Sequence, residues 1–325
     1  MITEFKLNIK KKFGGLALVV IIALSASFLS FHYKAPVMLF ALLIGIAFHF
    51  LNEEKNCVEG IEFSSSTLLR FGVGLLGLRL TLNDVESIGL IAIIAVLAMV
   101  ILTLGFGAIL SFIFGRRLAF GLLAGGSVAI CGASAALAIA SVLPPKEDRK
   151  QDVILVIIGV TILSTISMIL YPILFSNLGM TERESGYLIG ATIHDIAQVV
   201  GAGYSVSEEA GIIATFIKMF RISILPLVLI IVMLTFRGAQ SQKVNLPWFL
   251  IMFIALAFLN NLLSIPIFIV YLINEISQWL LILAISALGI KTNLSKIAQV
   301  SISYSTILIL ETLFLLAISL ILLNF

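Results

Sequence analysis

Long apolar runs, broken at intervals by charged or polar punctuation, follow one another along almost the whole chain. Eleven hydrophobic segments emerge: 14–31, 36–51, 66–80, 88–114, 118–143, 153–175, 186–204, 210–236, 246–263, 265–290 and 300–323. Most approach the roughly 17–25 residues needed to cross about 30 Å of hydrocarbon at 1.5 Å per residue, so the pattern predicts membrane-spanning α-helices. The basic start KLNIKKKFGG followed by an apolar run has the outline of a secretory signal, but the run exceeds a signal core and reads as a first spanning helix. Lys6 and Lys10 to Lys12 then stay inside. Arg116, Arg117, Arg237, Lys243, Lys291 and Lys296 fall on the same side, as the positive-inside rule requires.

Composition fixes the class. Of 325 residues, 61% are hydrophobic and 11% charged, and the mean hydropathy of +1.19 lies far outside the range of soluble domains. An all-α, polytopic membrane protein is expected, with residues 1–325 forming a single transmembrane domain. The net charge of +3 is small and scattered, which excludes a nucleic-acid partner. Cys57 and Cys131 lie in dissimilar settings and outline no disulfide framework. The histidines, His32, His49 and His194, have no metal-ligand spacing, so no metal site is expected.

Two internal similarities organise the chain. LGLRLTLNDV at 76–85 aligns without gaps on LGIKTNLSKI at 288–297, and the two run in opposite directions in this topology. That is the mark of an inverted-topology repeat, with halves at about 14–114 and 210–323 around central interrupted segments at about 118–204. The second similarity joins GGSVAICGASA, 125–135, to GATIHDIAQ, 190–198. Each breaks an apolar run with small and polar residues, as a discontinuous helix or a re-entrant hairpin would. Such backbone is tolerated at membrane depth only where protein or a wet cavity satisfies it. If the two segments cross fully they run parallel; if they are re-entrant they enter from opposite faces. The basic loop PPKEDRK after the first, with Lys146, Arg149 and Lys150, favours the re-entrant form.

Candidate chemistry comes from Arg70, Arg79, His194, Asp195, Gln198, Lys218 and Arg221, polar groups at or near membrane depth. Each ionised one costs about 2.5–3.5 kcal/mol near a bilayer centre, so they require partners or water. Lys218 and Arg221, three apart, share a helical face and invite either carboxylates (Asp195, Glu208 or Glu209) or an anion. His194 reads as an interior hydrogen-bonding residue that lines the site, with proton carriage as the alternative. Gln198, one turn on, offers an amide to an oxyanion or to a neighbouring helix. Around Cys131, Gly132 and Ser134, unwound backbone would turn free N–H groups and a positive helix end toward the membrane centre. Cys131 itself reads as a small packed thiol rather than a nucleophile. Gly72, Gly74 and Gly77 suit close helix contact, and Asn260 and Asn261 read as a polar loop.

AICGASAALA, IHDIAQVVGAG and the following Lys218-x-x-Arg221 with Pro226 together resemble the signature segments of the YeiH-like sulfate exporter family of bacterial inner-membrane proteins. The resemblance covers nearly the whole chain. It implies a multi-pass transporter related in architecture to the bile acid/sodium symporter and cation/proton antiporter group, with inverted repeats and crossing broken helices. The positions that match the motifs are Cys131, Gly132 and Ser134, then His194, Asp195 and Gln198, then Lys218 and Arg221. No adjacent pair of intramembrane aspartates is found, which departs from the antiporters and leaves coupling to protons or sodium open. The expectation is a secondary transporter, not an enzyme, that moves a small anion such as sulfate or an organic sulfonate across the inner membrane by alternating access. It needs no cofactor, and its partners are the substrate and the bilayer, with a homo-oligomer left open. A coupled organic-acid transporter, an anion channel and an intramembrane enzyme are the alternatives.

Overall fold

The computed structural model describes residues 2–33, 36–80, 82–144, 149–236, 247–263, 265–292 and 302–323. Lys146, Arg237, Lys243 and Lys296 lie outside the described residues. Among those described, every regular element is helical, and six helices are long and apolar enough to cross a membrane. The chain is a multi-pass membrane protein.

One group of helices comprises α1 (Ile2–Tyr33), α2 (Val37–Ala47), α3 (Val58–Phe63), α4 (Leu69–Leu75), α13 (Trp248–Leu262) and α14 (Ile267–Lys291). Small residues bring their backbones together: a Cβ on Gly45 would lie 2.5 Å from the Ser286 carbonyl oxygen, and one on Gly77 would lie 2.1 Å from that of Phe253. In lipid no hydrophobic force drives helices together, so such close van der Waals approach holds them. A π turn over Ser64–Leu68 joins α3 to α4, so this span starts at Val58, ahead of the expected residue 66. Its polar first turns are accommodated because Glu62 pairs with Lys291 at 2.5 Å and Glu59 lies 4.0 Å from Lys11. Asn260 and Asn261 are in the last turn of α13, not in a loop. There the Asn261 amide donates to the carbonyls of Ala257 and Leu80.

The second group comprises α5 (Leu82–Ile113), α6 (Leu118–Ala129), α7 (Ala133–Val142), α8 (Arg149–Asn177), α9 (Glu182–Thr192), α10 (Ile196–Val206), α11 (Glu208–Ser223), α12 (Leu225–Thr235) and α15 (Ile302–Leu323). Both segments expected to be interrupted are broken, at Ile130–Gly132 and at Ile193–Asp195. Both fold back on themselves. Ile139 of α7 reaches Gly126 of α6, so those two arms lie side by side. Gly186 and Gly190 of α9 pack on Ala210 and Ala214 of α11 in parallel order, whereas Gly203 of α10 meets Gly211 in the antiparallel sense. The arms α9 and α10 therefore oppose each other.

Following the chain through α8 and α11, the two hairpins enter from opposite ends of the group and meet tip to tip. α8 runs beside both, and α15 packs on α5, α6, α8 and α9. The two groups touch chiefly where α10 meets α2 and α14. α4 and α14 lie antiparallel, since Ser277 donates to Gly72 while Lys291 reaches Glu62. Of the matched decapeptides, only 288–292 of the second copy belongs to the described residues.

Candidate functional site

A helix that stops inside a membrane leaves its last carbonyls and its next first N–H groups without intrahelical partners. The two hairpin tips solve this in two directions. On one side are the carbonyl ends of α6 and α9, and toward them α11 extends Lys218 and Arg221, which are 0% and 1% exposed. The Lys218 ammonium donates to the carbonyl of Ile130 at 2.6 Å, to that of Ile193 at 3.0 Å, and to that of His194. Arg221 donates to Ala129 at 2.9 Å, Gly190 at 2.9 Å, Ile193 at 3.0 Å and Val128 at 2.9 Å. Two cations thus cap the negative dipole ends of two helices that come from opposite directions.

This changes the role read from the sequence. The spacing of Lys218 and Arg221 points to an anion or to carboxylates, but all three ammonium protons and most of the guanidinium are occupied by backbone. Two of the three carboxylates considered as partners lie elsewhere, Glu208 pairing with Arg79 and Glu209 with Arg183, while Asp195 is at the second tip but outside ion-pair distance and caps α10. A sequence displays side-chain charge but not a stack of orphaned carbonyls, so this partner set is invisible before folding.

His194 is fully buried between the tips and is not among the residues that line the cavity described below. Its Nδ1 is 3.2 Å from the Val128 carbonyl oxygen, which can only accept, so Nδ1 carries a proton. Its Nε2 is 3.1 Å from the Thr312 hydroxyl of α15. Gly132 takes φ +60°, the left-handed region that favours glycine, and a Cβ there would face the His194 Cβ at 3.5 Å. Its N–H closes the first tip on the Ser127 carbonyl at 2.8 Å.

On the other side of the tips, the N-terminal ends of α7 and α10 face a cavity of about 710 Å³ between the two helix groups. Of the expected site residues, Cys131, Ser134, Asp195 and Gln198 line it, as does Arg70; Gly132, His194, Lys218 and Arg221 stand behind it. The α7 terminus has no side-chain cap, whereas Asp195 caps α10 by accepting from the Ala197 N–H at 2.8 Å. Hydroxyls of α8 fix the second tip: the Asp195 N–H donates to Ser164 at 3.0 Å, and the Gln198 amide donates to Thr165 at 2.8 Å. The Gln198 Oε1 is buried with no partner among the described residues and is left able to accept.

The cavity runs from the tips to Ser65, Trp248 and Lys291 at the end of the molecule where Glu62 and Lys291 pair. At the other end the groups are fastened by Arg79, which pairs with Glu208 and donates to the Tyr204 hydroxyl at 3.4 Å. Trp248 and Lys291 were not singled out as site residues from the sequence. A tryptophan opening a helix beside a proline was the signal available for the first.

The chain matches the family described as conserved hypothetical protein 698 over residues 14–310. It is 46% identical to a UPF0324 membrane protein of Chlorobaculum tepidum, over 95% of this chain and 88% of that one. It is 44% identical to the UPF0324 membrane protein TauZ of Paracoccus denitrificans, over 94% and 93% respectively. A UPF0324 membrane protein of Rhizobium meliloti is 43% identical over 94% and 89%. No solved structure matches the chain. The YeiH-like resemblance agrees with these matches, and the chain belongs to the conserved hypothetical protein 698 family of bacterial multi-pass UPF0324 membrane proteins.

Proposed function

We propose that this protein is a secondary transporter that moves a small anion, sulfate or an organic sulfonate, across the bacterial inner membrane by alternating access. The observation that carries this reading is the pairing of two buried cations with two helix N-termini that face one cavity. Lys218 and Arg221 have no carboxylate within ion-pair distance among the described residues. Their field is therefore neutralised only in part by helix dipoles and Asp195, and an anion in the cavity completes it. The direct ligands in this account are the uncapped N–H groups of α7 and the Ser134 hydroxyl, with Arg70 and Lys291 toward the mouth. Lys218 and Arg221 act from behind, as positioning residues.

Alternating access is supported by the two-group construction, with a cavity at one end and the Arg79 contact at the other. The basic mouth of the cavity faces the cytoplasm on the positive-inside rule. Two opposed hairpins on α8 and α11 fit an inverted repeat centred on the interrupted segments, with the halves 14–114 and 210–323 around them.

The test is a thermal-shift series on purified protein with sulfate, organic sulfonates, dicarboxylates and chloride, followed by exchange of labelled sulfate in proteoliposomes. A ligand of the folded state raises the melting temperature. The expected result is stabilisation by sulfate or a sulfonate and saturable exchange. Indifference to every oxyanion, or single-channel currents beyond carrier turnover, overturns the reading.

A further inference from the structure

The core of the hairpin group contains a carboxyl group that the cavity does not use. Glu311, in the middle of the apolar run of α15, is 0% exposed, and neither of its oxygens has a hydrogen-bond partner among the described residues. Its helix packs on α5, α6, α8 and α9, so the side chain is inside protein and not toward lipid. Glycine makes room for it. A Cβ on Gly107 would lie 2.7 Å from Glu311 Oε1, 2.6 Å from the Gly121 carbonyl oxygen and 2.9 Å from the Gly125 Cα. One turn before Gly107 on α5, the Thr103 hydroxyl is also completely buried and unpartnered.

An ionised carboxylate in such a place is shielded from solvent and has no counter-charge within ion-pair distance among the described residues, and the cost of that is far larger than for any neutral polar group. A carboxylic acid carries no net charge and needs one acceptor. The next residue, Thr312, touches the transport machinery: its hydroxyl meets His194 Nε2 at 3.1 Å and donates to the Leu308 carbonyl at 2.8 Å. That hydroxyl has one proton for two acceptors, so its direction depends on whether Nε2 is protonated. Adjacent residues of α15 thus connect a buried acid to the imidazole that joins the two tips.

We propose that Glu311 is an intramembrane proton-binding site, through which proton uptake and release are coupled to movement of the hairpin group. The site is separate from the anion cavity, and its coupling role rests on the transport reading above. Infrared spectroscopy tests the proton itself without any substrate. At neutral pH the parent protein should show the C=O stretch of a protonated carboxylic acid, and Glu311→Gln, which keeps the shape of the neutral acid, should remove it. If that variant does not fold, labelling of the parent with a hydrophobic carbodiimide, located by mass spectrometry, decides in its place, and reaction at Glu311 is expected.

In proteoliposomes, Glu311→Gln should retain exchange of labelled sulfate while losing accumulation driven by a pH gradient. An unchanged C=O band, an unlabelled Glu311, or undiminished pH-driven accumulation in Glu311→Gln overturns the proposal. Failure of the parent to exchange sulfate removes the transport reading, and the infrared band still decides the proton site.

Discussion

The two hairpin tips perform the same task by different chemistry. The first, at Ile130–Gly132, turns on a left-handed glycine and leaves the N-terminus of α7 without a side-chain cap. The second, at Ile193–Asp195, turns through extended backbone, is braced by α8 hydroxyls, and caps α10 with a carboxylate. An open N-terminus attracts an anion; one already capped by a carboxylate repels it. Under the proposed anion-transport reading, the first tip is the one suited to the anion, and the second is a polar brace with a free acceptor at Gln198 among the described residues.

The largest effects are expected where the tips share their support. Lys218→Met or Arg221→Met removes three or four charge-assisted bonds, each worth about 1.5–3 kcal/mol, from carbonyls that water cannot reach. The total approaches the whole stability of a typical protein, about 5–15 kcal/mol. Folded yield by size-exclusion chromatography should collapse, and a well-folded variant that has lost only anion affinity would restore the direct-ligand role. Next comes the first tip alone: Gly132→Ala forces a side chain into the left-handed region at about 1–2 kcal/mol, read as a lower melting temperature.

At the second tip, Asp195→Asn keeps a capping oxygen but removes the charge, so stability should barely change while sulfate affinity rises. A loss of affinity there would make Asp195 a ligand. The smallest effect lies at the outer start of α9, where Thr181 and Glu184 form a reciprocal cap. Thr181→Ala should cost about 1 kcal/mol. Bonds from the Thr181 N–H and hydroxyl hold the Glu184 carboxyl below its ordinary range. Its contribution is therefore present above the ordinary carboxylate pKa and is lost as pH falls through the lowered folded value. Glu184→Gln should abolish that acid-side dependence in a melting series, with both hairpin tips unaffected.

Much of the fold was legible because lipid imposes a simple code. Each of the eleven apolar runs contains helix, and both breaks occur at the small-residue motifs, where glycine and polar residues have no other reason to interrupt a run. The site was legible in part. Cys131, Ser134, Asp195 and Gln198, all within the two motifs, line one cavity, but the partners of Lys218 and Arg221 are carbonyls, which every sequence contains everywhere. Glu311 escaped for the opposite reason. It is a single acidic residue in ILILETLFLL with no motif around it, although a lone carboxylate in an apolar span is itself a warning of function.

The Arg79 contact joins a guanidinium in a largely covered position, 9% exposed, to a Glu208 side chain that is 64% exposed. Half-wetted ion pairs of this kind are worth only about 0–1 kcal/mol, and salt weakens them further. This clasp at the far end of the molecule is therefore loose enough for thermal motion to undo. If the protein works by the alternating access proposed above, raising ionic strength should favour a shape with its Arg79 side unlatched.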